Sequence, residues 1–511
     1  MDTKMLEYCA TDSACTFEIR NSIWADLHKQ GYDKAYALTI DVFEPLMFMM
    51  TRGIKVDFDA LEVTKRDILK EITDATAELH RRVGRELNPL SPKQVQAYFY
   101  IERGVEPYTG KDGKITSDDK ALARIARGTT KRPGMREASL IQTIRGLNKL
   151  YSSYLDINFD TDGRLRCAYN PRGTKFGRLS SSETVFGTGT NQQNLPPAFK
   201  KFLVSDPSYF FLEVDKRQAE WFVVAYLSGD ANMLEVIRLG TDPHTHTASL
   251  MFNLPPEAIS REHKLVGGIT DADEIARRRS TDAIIQSISR ILPRTMSARQ
   301  MGKKSNHGLN YDEGPDRFAL ENEIELRESK QFIEAYHTVY PGIRNSYHAG
   351  IRNQLSKDRT LINCFGRKVH FLDQWGTDLF KSAYSCLPQS TVVDSLNSGM
   401  TRIYRDEWLT RTLNGDILAH GHDAILHQFP VVILKTPDKL YNAVERIFDY
   451  VSPEMEYHGR KFKIPTDLKV GYNWGLHGTD NKQGMQEIKP WKNKQQFINT
   501  VIGALHGKGS K

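Results

Sequence analysis

Cysteine is scarce in this 511-residue chain: Cys9, Cys15, Cys167, Cys364 and Cys386 are scattered, and no CxxC pair occurs. That spacing excludes a zinc ribbon or a disulfide framework and leads us to expect reduced, mostly buried thiols in an intracellular protein. Long apolar runs are missing as well. No stretch reaches the ~18 residues that suggest a membrane span, and Met1–Glu7 carries no apolar signal core. The expected setting is the cytoplasm, with no membrane partner. There is no fixed-period repeat and no low-complexity block beyond a Lys-rich end. Charge of one sign is not in strong excess either. Seventy Lys and Arg against 63 Asp and Glu leave +7, too weak a bias to establish nucleic-acid binding.

What is present is globular. Hydrophobic residues make up 39% and charged residues 26%, which excludes a disordered or fibrous chain. The length calls for two to four domains. Leu61, Ile68, Ile72, Ala75, Leu79 and Val83 recur at helical spacing, as do Leu140, Ile144, Leu147, Leu150 and Tyr154. Two amphipathic helices forming an antiparallel hairpin are expected, with a polar tip around Thr109–Lys114. Tyr209–Val214 reads as a buried strand, Trp221–Leu227 as a buried helix, and 299–311 as a helix. Ile417–His427 alternates around Gly421-His422-Asp423 and fits a tight hairpin. Residues 254–298, with Arg277-Arg278-Arg279, read as a basic insertion or mobile subdomain. The mixture gives an α+β fold with an antiparallel sheet at its centre.

Three features carry chemistry. Asp215 ends the 210–214 strand, where a carboxylate facing a cleft suits Mg²⁺. Glu220 follows at the start of the next helix, where an acid also favours the helix dipole. Asp423 sits at the hairpin tip, a position that also suits a plain turn former. Two such carboxylates brought together repel unless cations lie between them, and paired metal ions are a known solution for phosphoryl displacement. Arg299, Lys303, His307 and Tyr311 stand four residues apart. Each step overshoots a helical turn by about 40°, giving one drifting stripe. Two cations then two rings suit a nucleoside triphosphate; a solvated basic face is the alternative.

Taken in order, these segments resemble the motifs of family A DNA polymerases. Phe211–Glu220, running on to Leu227-Ser228-Gly229-Asp230, is similar to motif A; Arg299-xxx-Lys303-xxx-His307-Gly308-xx-Tyr311 to motif B; and His422-Asp423-Ala424 to motif C. Gly177-Arg178-Leu179-Ser180-Ser181, Asn191–Pro196, Asp242-Pro243-His244, Pro388-Gln389-Ser390-Thr391 and Ser91-Pro92-Lys93-Gln94 match further family segments. The resemblance implies DNA-directed DNA synthesis in replication, extending a primer 3′-hydroxyl on a template with dNTPs. It implies two Mg²⁺ ions, replaceable by Mn²⁺, at a metal set of Asp215 and Asp423 with Lys216 counted beside them. One ion would lower the pKa of the primer hydroxyl; the other would hold the triphosphate. Arg299, Lys303, His244 and Gln218 would contact the nucleotide, Lys303 also donating a proton to pyrophosphate. Glu220 would crowd the sugar 2′ position, and Tyr311 and His307 would line the same pocket. Arg178 and Gln389 would donate to minor-groove acceptors, and His422 would support the primer terminus. The implied architecture is a right hand: an exonuclease-like remnant and linker over 1–58, thumb 59–158, palm 159–222, fingers 223–369, and palm again from 370 to 511 with a basic tail.

The sequence departs from the family pattern in places. His307 stands where Phe or Tyr is usual, Asp312 where Gly is common, and Ala424 where Glu is usual. Tyr8-Cys9-Ala10-Thr11-Asp12 resembles the last motif, YxxxD, of the family's 3′–5′ exonuclease. The acids of its first motif would precede Tyr8, so proofreading is not expected from this chain alone. Tyr8 and Asp12 either complete a separate exonuclease polypeptide in trans or are a dead remnant. The missing 5′ nuclease domain leans the expectation toward a phage-like replicative enzyme in a bacterial cell. Two other functions are weighed: a single-subunit RNA polymerase, opposed by Glu220, and a non-catalytic DNA-binding replication subunit, opposed by the intact acids and cations. Six lysines against one glutamate from Asn481 onward place most of the net charge in a tail expected to contact DNA phosphates flexibly.

Overall fold

The computed structural model describes residues 3–110, 113–129, 132–269, 271–322 and 324–506. The chain opens with a long helix, α1 (Thr3–Lys29), none of whose side chains is buried. Helix α2 (Phe58–Val83) starts where the Asp57 carboxylate accepts from the Ala60 N–H at 3.1 Å and stops at Gly84, whose φ of +78° closes the last turn. Helices α3 (Asp119–Arg127) and α4 (Arg136–Leu150) follow, the latter running through a π-helical turn to Leu155. Leu79 of α2 shares a core with Leu140 and Ile144 of α4, whereas Leu61 packs with Leu155 at the other end. The two helices are therefore antiparallel, as their periodicity predicts. The stretch between them is more than a polar tip. Val95, Tyr98, Phe99, Leu122 and Ile125 enter the same core as α2 and α4, from helical pieces too short to show a period. Lys111 and Asp112 of the predicted turn lie outside the described residues.

The site is built on a five-stranded antiparallel sheet. Its central strand is β1 (Tyr209–Lys216), which turns directly into α5 (Ala219–Ser228). Helices α6 (Pro243–Phe252), α7 (Pro256–Val266), α8 (Ala272–Arg279) and α9 (Ala298–Leu309) come next. Helix α10 (Thr377–Arg405) leads to the hairpin β2 (Asp416–His420) and β3 (Ala424–Pro430). Helix α11 (Pro437–Val451), β4 (Thr466–Gly471), β5 (Gln486–Ile488) and α12 (Lys494–His506) complete the chain. The strand order is β2-β3-β1-β4-β5. Phe210, Leu212 and Val214 of β1 face a core shared with α10, α11 and α12, while Phe211 faces the core that holds Leu61 of α2. Burial on both faces explains why β1 reads as a continuous apolar run rather than an alternation.

Three expectations need correction. Residues 254–298, expected as a basic insertion or mobile subdomain, do not stand apart as a unit of their own. They fold as α7, α8 and shorter helical turns, with Ile259, Ile285 and Leu292 in a core shared with α5 and α9. Arg277 and Arg278 pair with Glu274 of their own helix, and Arg279 is buried, so the cluster offers no open basic track. The basic tail is not a free arm over its described length either. Phe497, Val501 and Leu505 of α12 are packed against the sheet's helices, because their helical spacing buries one face; Lys508 and Lys511 lie outside the described residues. Finally, Cys9 and Cys15 are exposed on α1, whereas Cys167 and Cys386 are buried as expected.

The core that α2 and α4 share around Leu79 and Ile141 is separate from the cores around the sheet, which makes it separately testable. Ile141 is fully buried there. Ile141→Ala should destabilise that unit by about 2–5 kcal/mol, the usual range for a large-to-small core change. Amide exchange should accelerate in α2 and α4 and remain slow in β1 and β3; equal acceleration everywhere would show a single cooperative unit instead.

Candidate active site

Strand register brings the two acids together. Asp215 of β1 stands opposite Ala424 of β3, and the Lys216 N–H donates to the Asp423 carbonyl at 2.9 Å. The hairpin tip is held from below: the His420 N–H donates to the Tyr169 hydroxyl at 3.0 Å, and Tyr169 is buried. Burial pushes the Asp423 carboxyl up to about 6, with the Glu220 and Asp215 charges adding to it against Arg178 and Lys216. Burial also raises Asp215, opposed by Lys469, which donates to its Oδ2 at 3.0 Å. Asp423 Oδ1 is buried and has no hydrogen-bond partner among the described residues. A buried, unpaired carboxylate oxygen beside a second carboxylate is an oxygen-donor set that fits a hard divalent cation. No group of three or more His, Cys, Asp or Glu suited to a metal occurs among the described residues, so any ion here shares its remaining positions with water or substrate.

Lys216 contributes differently from its neighbour. Alternation along β1 turns its side chain to the opposite face, where Nζ donates to Ser395 Oγ at 2.9 Å and to the Val451 carbonyl. Burial lowers it to about 7, with Asp423 opposing. Its ammonium has no place in a metal site, so the expectation for Lys216 is corrected to a main-chain contact at most. On the Asp215 face, directly opposed residues of β4 complete the arrangement. Lys469 bridges Glu213 at 2.8 Å and Asp215, and Glu213 also accepts from Trp474 Nε1 at 2.6 Å. Asp467, opposite Asp215, is neutralised by Arg217. Sequence reading missed Lys469, Asp467 and Trp474. The alternation of Asp467 and Lys469 against buried Leu468 and Val470 was the available signal.

Helix α9 supplies the cation stripe. Gly302 lets it approach α6 closely, since a Cβ there would lie 2.3 Å from the His244 carbonyl. Arg299 donates to both oxygens of Asp242 at 2.9 and 3.1 Å. Burial pushes Asp242 up, but Arg299 and Thr245 hold it well below the usual carboxylate range. Lys303 and His307 are exposed and, with Tyr311, line one cavity of about 630 Å³. Three of the four stripe residues therefore line a cavity, and Arg299 is held at Asp242. The inner side of the stripe is fixed by Asn306, which sequence reading also missed. Asn306 Oδ1 accepts from Trp221, Thr247 and Tyr336, each at 3.1 Å, so its amide nitrogen must be the group 3.0 Å from His244 Nδ1. That donor makes Nδ1 the acceptor and leaves the proton of neutral His244 on Nε2. Burial lowers His244 to about 4, so it offers a hydrogen bond without a charge.

The remaining expected residues divide. Glu220, on the first turn of α5, accepts from both Arg178 and the Tyr311 hydroxyl. Those three residues, far apart in sequence, meet as the sequence led us to expect for Glu220 and Tyr311; the Arg178 contact was not foreseen. Gln218 adopts φ +47° at the β1–α5 turn and donates to Asp242 Oδ1 at 2.9 Å, joining motif A to the α6 cap. Gln389 lies on α10, next to the helix-interior Pro388 and partly exposed; His422 is exposed at the hairpin tip. Tyr8 and Asp12 are on exposed α1.

The sheet with acids at its strand ends, the flanking helical units and the cation-bearing α9 define a right-hand polymerase fold. The chain belongs to DNA polymerase family A, whose family model matches residues 58–266 and 281–476. It is 27% identical to the thermostable DNA polymerase I of Thermus filiformis over 406 residues, covering 75% of this chain and 42% of that protein. It is 25% identical to DNA polymerase I of Pseudomonas aeruginosa over 495 residues, covering 91% and 47%. The chain thus spans less than half the length of these curated relatives. The POL domain of Pol1 from M. smegmatis, in complex with DNA primer-template and dNTP, shares the fold: TM-score 0.68 at 22% identity, over 85% of this chain and 70% of that one. Among the described residues no helix is long and apolar enough to cross a membrane.

Asp423 gives a signed pH prediction for the metal-free protein. Its folded value of about 6 lies above the ~3.9 of an unfolded aspartate, so its contribution to stability is lost as pH rises through 6. In chelator at pH 8, Asp423→Asn should therefore be more stable than wild type by about 1–3 kcal/mol. The gap should close as pH falls through 6 toward 4. Urea denaturation at both ends of that range checks this, and a gap that widens at low pH would contradict it.

Proposed function

We propose that this chain is a DNA-directed DNA polymerase that extends a primer 3′-hydroxyl with dNTPs in DNA replication. The observation that carries the reading is the unpaired Asp423 carboxylate beside Asp215, linked through the charge of Glu220 to His307 and Tyr311 of the stripe. Asp215 and Asp423 hold two Mg²⁺ ions, or Mn²⁺, with the Lys216 carbonyl as the main-chain contribution. Bound there, the ions supply Lewis-acid activation of the attacking hydroxyl and charge neutralisation of the leaving group.

The other residues bind and orient. Arg299 exchanges Asp242 for triphosphate oxygens, Lys303 reaches the same phosphates and donates a proton to the leaving pyrophosphate, and His244 gives its Nε2 proton as a hydrogen bond. His307 and Tyr311 line the nucleotide pocket, and Gln218 steadies its floor through Asp242. Arg178 and Gln389 read minor-groove acceptors, which every correct pair presents, and His422 supports the primer terminus. The right-hand units are assigned as thumb 59–158, palm 159–222 and 370–511, and fingers 223–369. Partners are primer-template DNA and dNTPs, with the bacterial cytoplasm, including a phage-infected cell, as the setting. Exposed α1 carries Tyr8 and Asp12 where a separate 3′–5′ exonuclease chain could use them.

Glu220 favours this reading over an RNA polymerase. Two donors, Arg178 and Tyr311, hold its carboxylate in place, so ribose 2′-hydroxyl meets a fixed acid. Primer extension with Mg²⁺ tests the assignment. Asp423→Ala should lower the rate about 10³-fold or more, from the lost stabilisation of transition-state charge; activity near wild type would reject the metal site. Glu220→Ala should raise ribonucleotide use relative to dNTP roughly tenfold or more. Unchanged sugar selectivity would place the gate elsewhere.

A further inference from the structure

The family model leaves residues 267–280 unmatched, and those residues contain α8. Arg277 and Arg278 of α8 stay at its surface with Glu274, but Arg279 turns inward. It is 4% exposed and meets Glu262 of α7, which is 0% exposed. Arg279 Nε and Nη2 both reach Glu262 Oε1. Its remaining donors go to the segment that leads into α9: Nη1 to the Pro293 carbonyl at 2.8 Å and Nη2 to the Met296 carbonyl at 3.1 Å. The second oxygen of Glu262 accepts from the Ala298 N–H, the first of α9, at 3.0 Å. His263 Nδ1 lies 2.9 Å from Ser297 Oγ, which in turn accepts from Gln300 N–H. Four contacts from α7 and α8 thus converge on 293–298, immediately before Arg299.

We propose that α8 forms, with α7, a latch that positions the nucleotide-binding end of α9, with Arg279 of α8 and Glu262 of α7 as its positioning residues. The proposal rests on the polymerase reading for its kinetic consequence, not for its structural one. An ion pair this buried is weak evidence of extra stability, since an apolar pair of similar volume commonly replaces it without loss. What an apolar pair cannot replace are the fork of bonds to two carbonyls and the bond to the Ala298 N–H. Those bonds fix the position of the helix start, and so where Arg299 stands relative to Asp242 and to an incoming triphosphate.

The test is the double variant Glu262→Leu/Arg279→Met, which leaves no lone buried charge, with Arg279→Lys as a second variant should the double one fail to fold. Lysine keeps the charge but lacks the planar fork. Amide exchange reads the latch without any activity: residues 298–303 should exchange about tenfold faster or more in either variant, with β1 and β3 unchanged. In primer extension the KM for dNTP should rise about tenfold with kcat within about twofold, because a contact made equally in ground and transition states is weakened. Wild-type exchange at 298–303, or unchanged KM beside a lowered Tm, would overturn the latch and leave a merely structural ion pair. A wild-type chain that extends no primer would overturn the polymerase reading instead, while the exchange result still decides the latch.

Discussion

Two carboxylates that repel one another are held side by side by the pairing of β1 with β3, and much of the remaining architecture serves to keep them there. Like charges in a partly buried site raise each other's pKa and favour separation. Here separation is blocked by backbone. The Lys216 N–H bond to the Asp423 carbonyl and the anchoring of His420 by Tyr169 fix both chain segments, and burial of β1 on both faces keeps the strand from shifting. The neighbouring acids are meanwhile neutralised: Asp467 by Arg217, and Glu213 by Lys469 and Trp474. Lys469 also touches Asp215, but none of the described residues satisfies Asp423 Oδ1. The uncompensated negative charge is thereby narrowed to one place in the sheet.

The cationic side of the cleft follows the opposite rule. Its reaching groups already have internal partners: Arg299 is held by Asp242, and Arg178 by Glu220. A polyanion entering the cleft must exchange one partner for another rather than fill an empty cradle. Such an exchange lowers net affinity, because the displaced acid must be solvated or paired again. It also keeps the cations extended in ordered positions before binding, so less rotamer entropy is lost on contact. Lys303 is the exception. It is exposed and has no ion pair within the described residues, so its charge is available without exchange.

Much of this was legible in the sequence because spacing survives translation into structure. The interval of four along Arg299, Lys303, His307 and Tyr311 needs only the helical period, and the last three do share a cavity. Strand-end Asp215 and hairpin-tip Asp423 were placed by apolar runs that ended at a polar residue. What spacing did not carry were contacts made perpendicular to the elements. Asn306 looks unremarkable in a helix, yet four side chains meet it. Arg279 sits in a run of three arginines whose outward members mask the inward one. The segment around it read as a basic insertion or mobile subdomain because short helices of six to eleven residues show little period, and because charge in sequence does not reveal whether its partner lies inside.

The same limitation applies to net charge, and Glu220 shows what replaces it. A glutamate on a first helical turn is ordinary, and composition assigns it only one negative unit. In the fold it accepts from the Arg178 guanidinium and from the part-buried Tyr311 phenol, so its rotamer is fixed rather than sampled. A flexible acid would let a larger sugar push it aside at little cost. A carboxylate held by two donors can yield only by breaking both bonds, each of them charge-assisted and therefore of the stronger kind. Exclusion at such a position comes from the stiffness of the triad Arg178, Glu220 and Tyr311 more than from the size of the glutamate. That stiffness depends on residues 42 and 91 positions away in sequence, so a sugar gate at Glu220, as proposed, would be a property of the assembled fold and not of motif A alone.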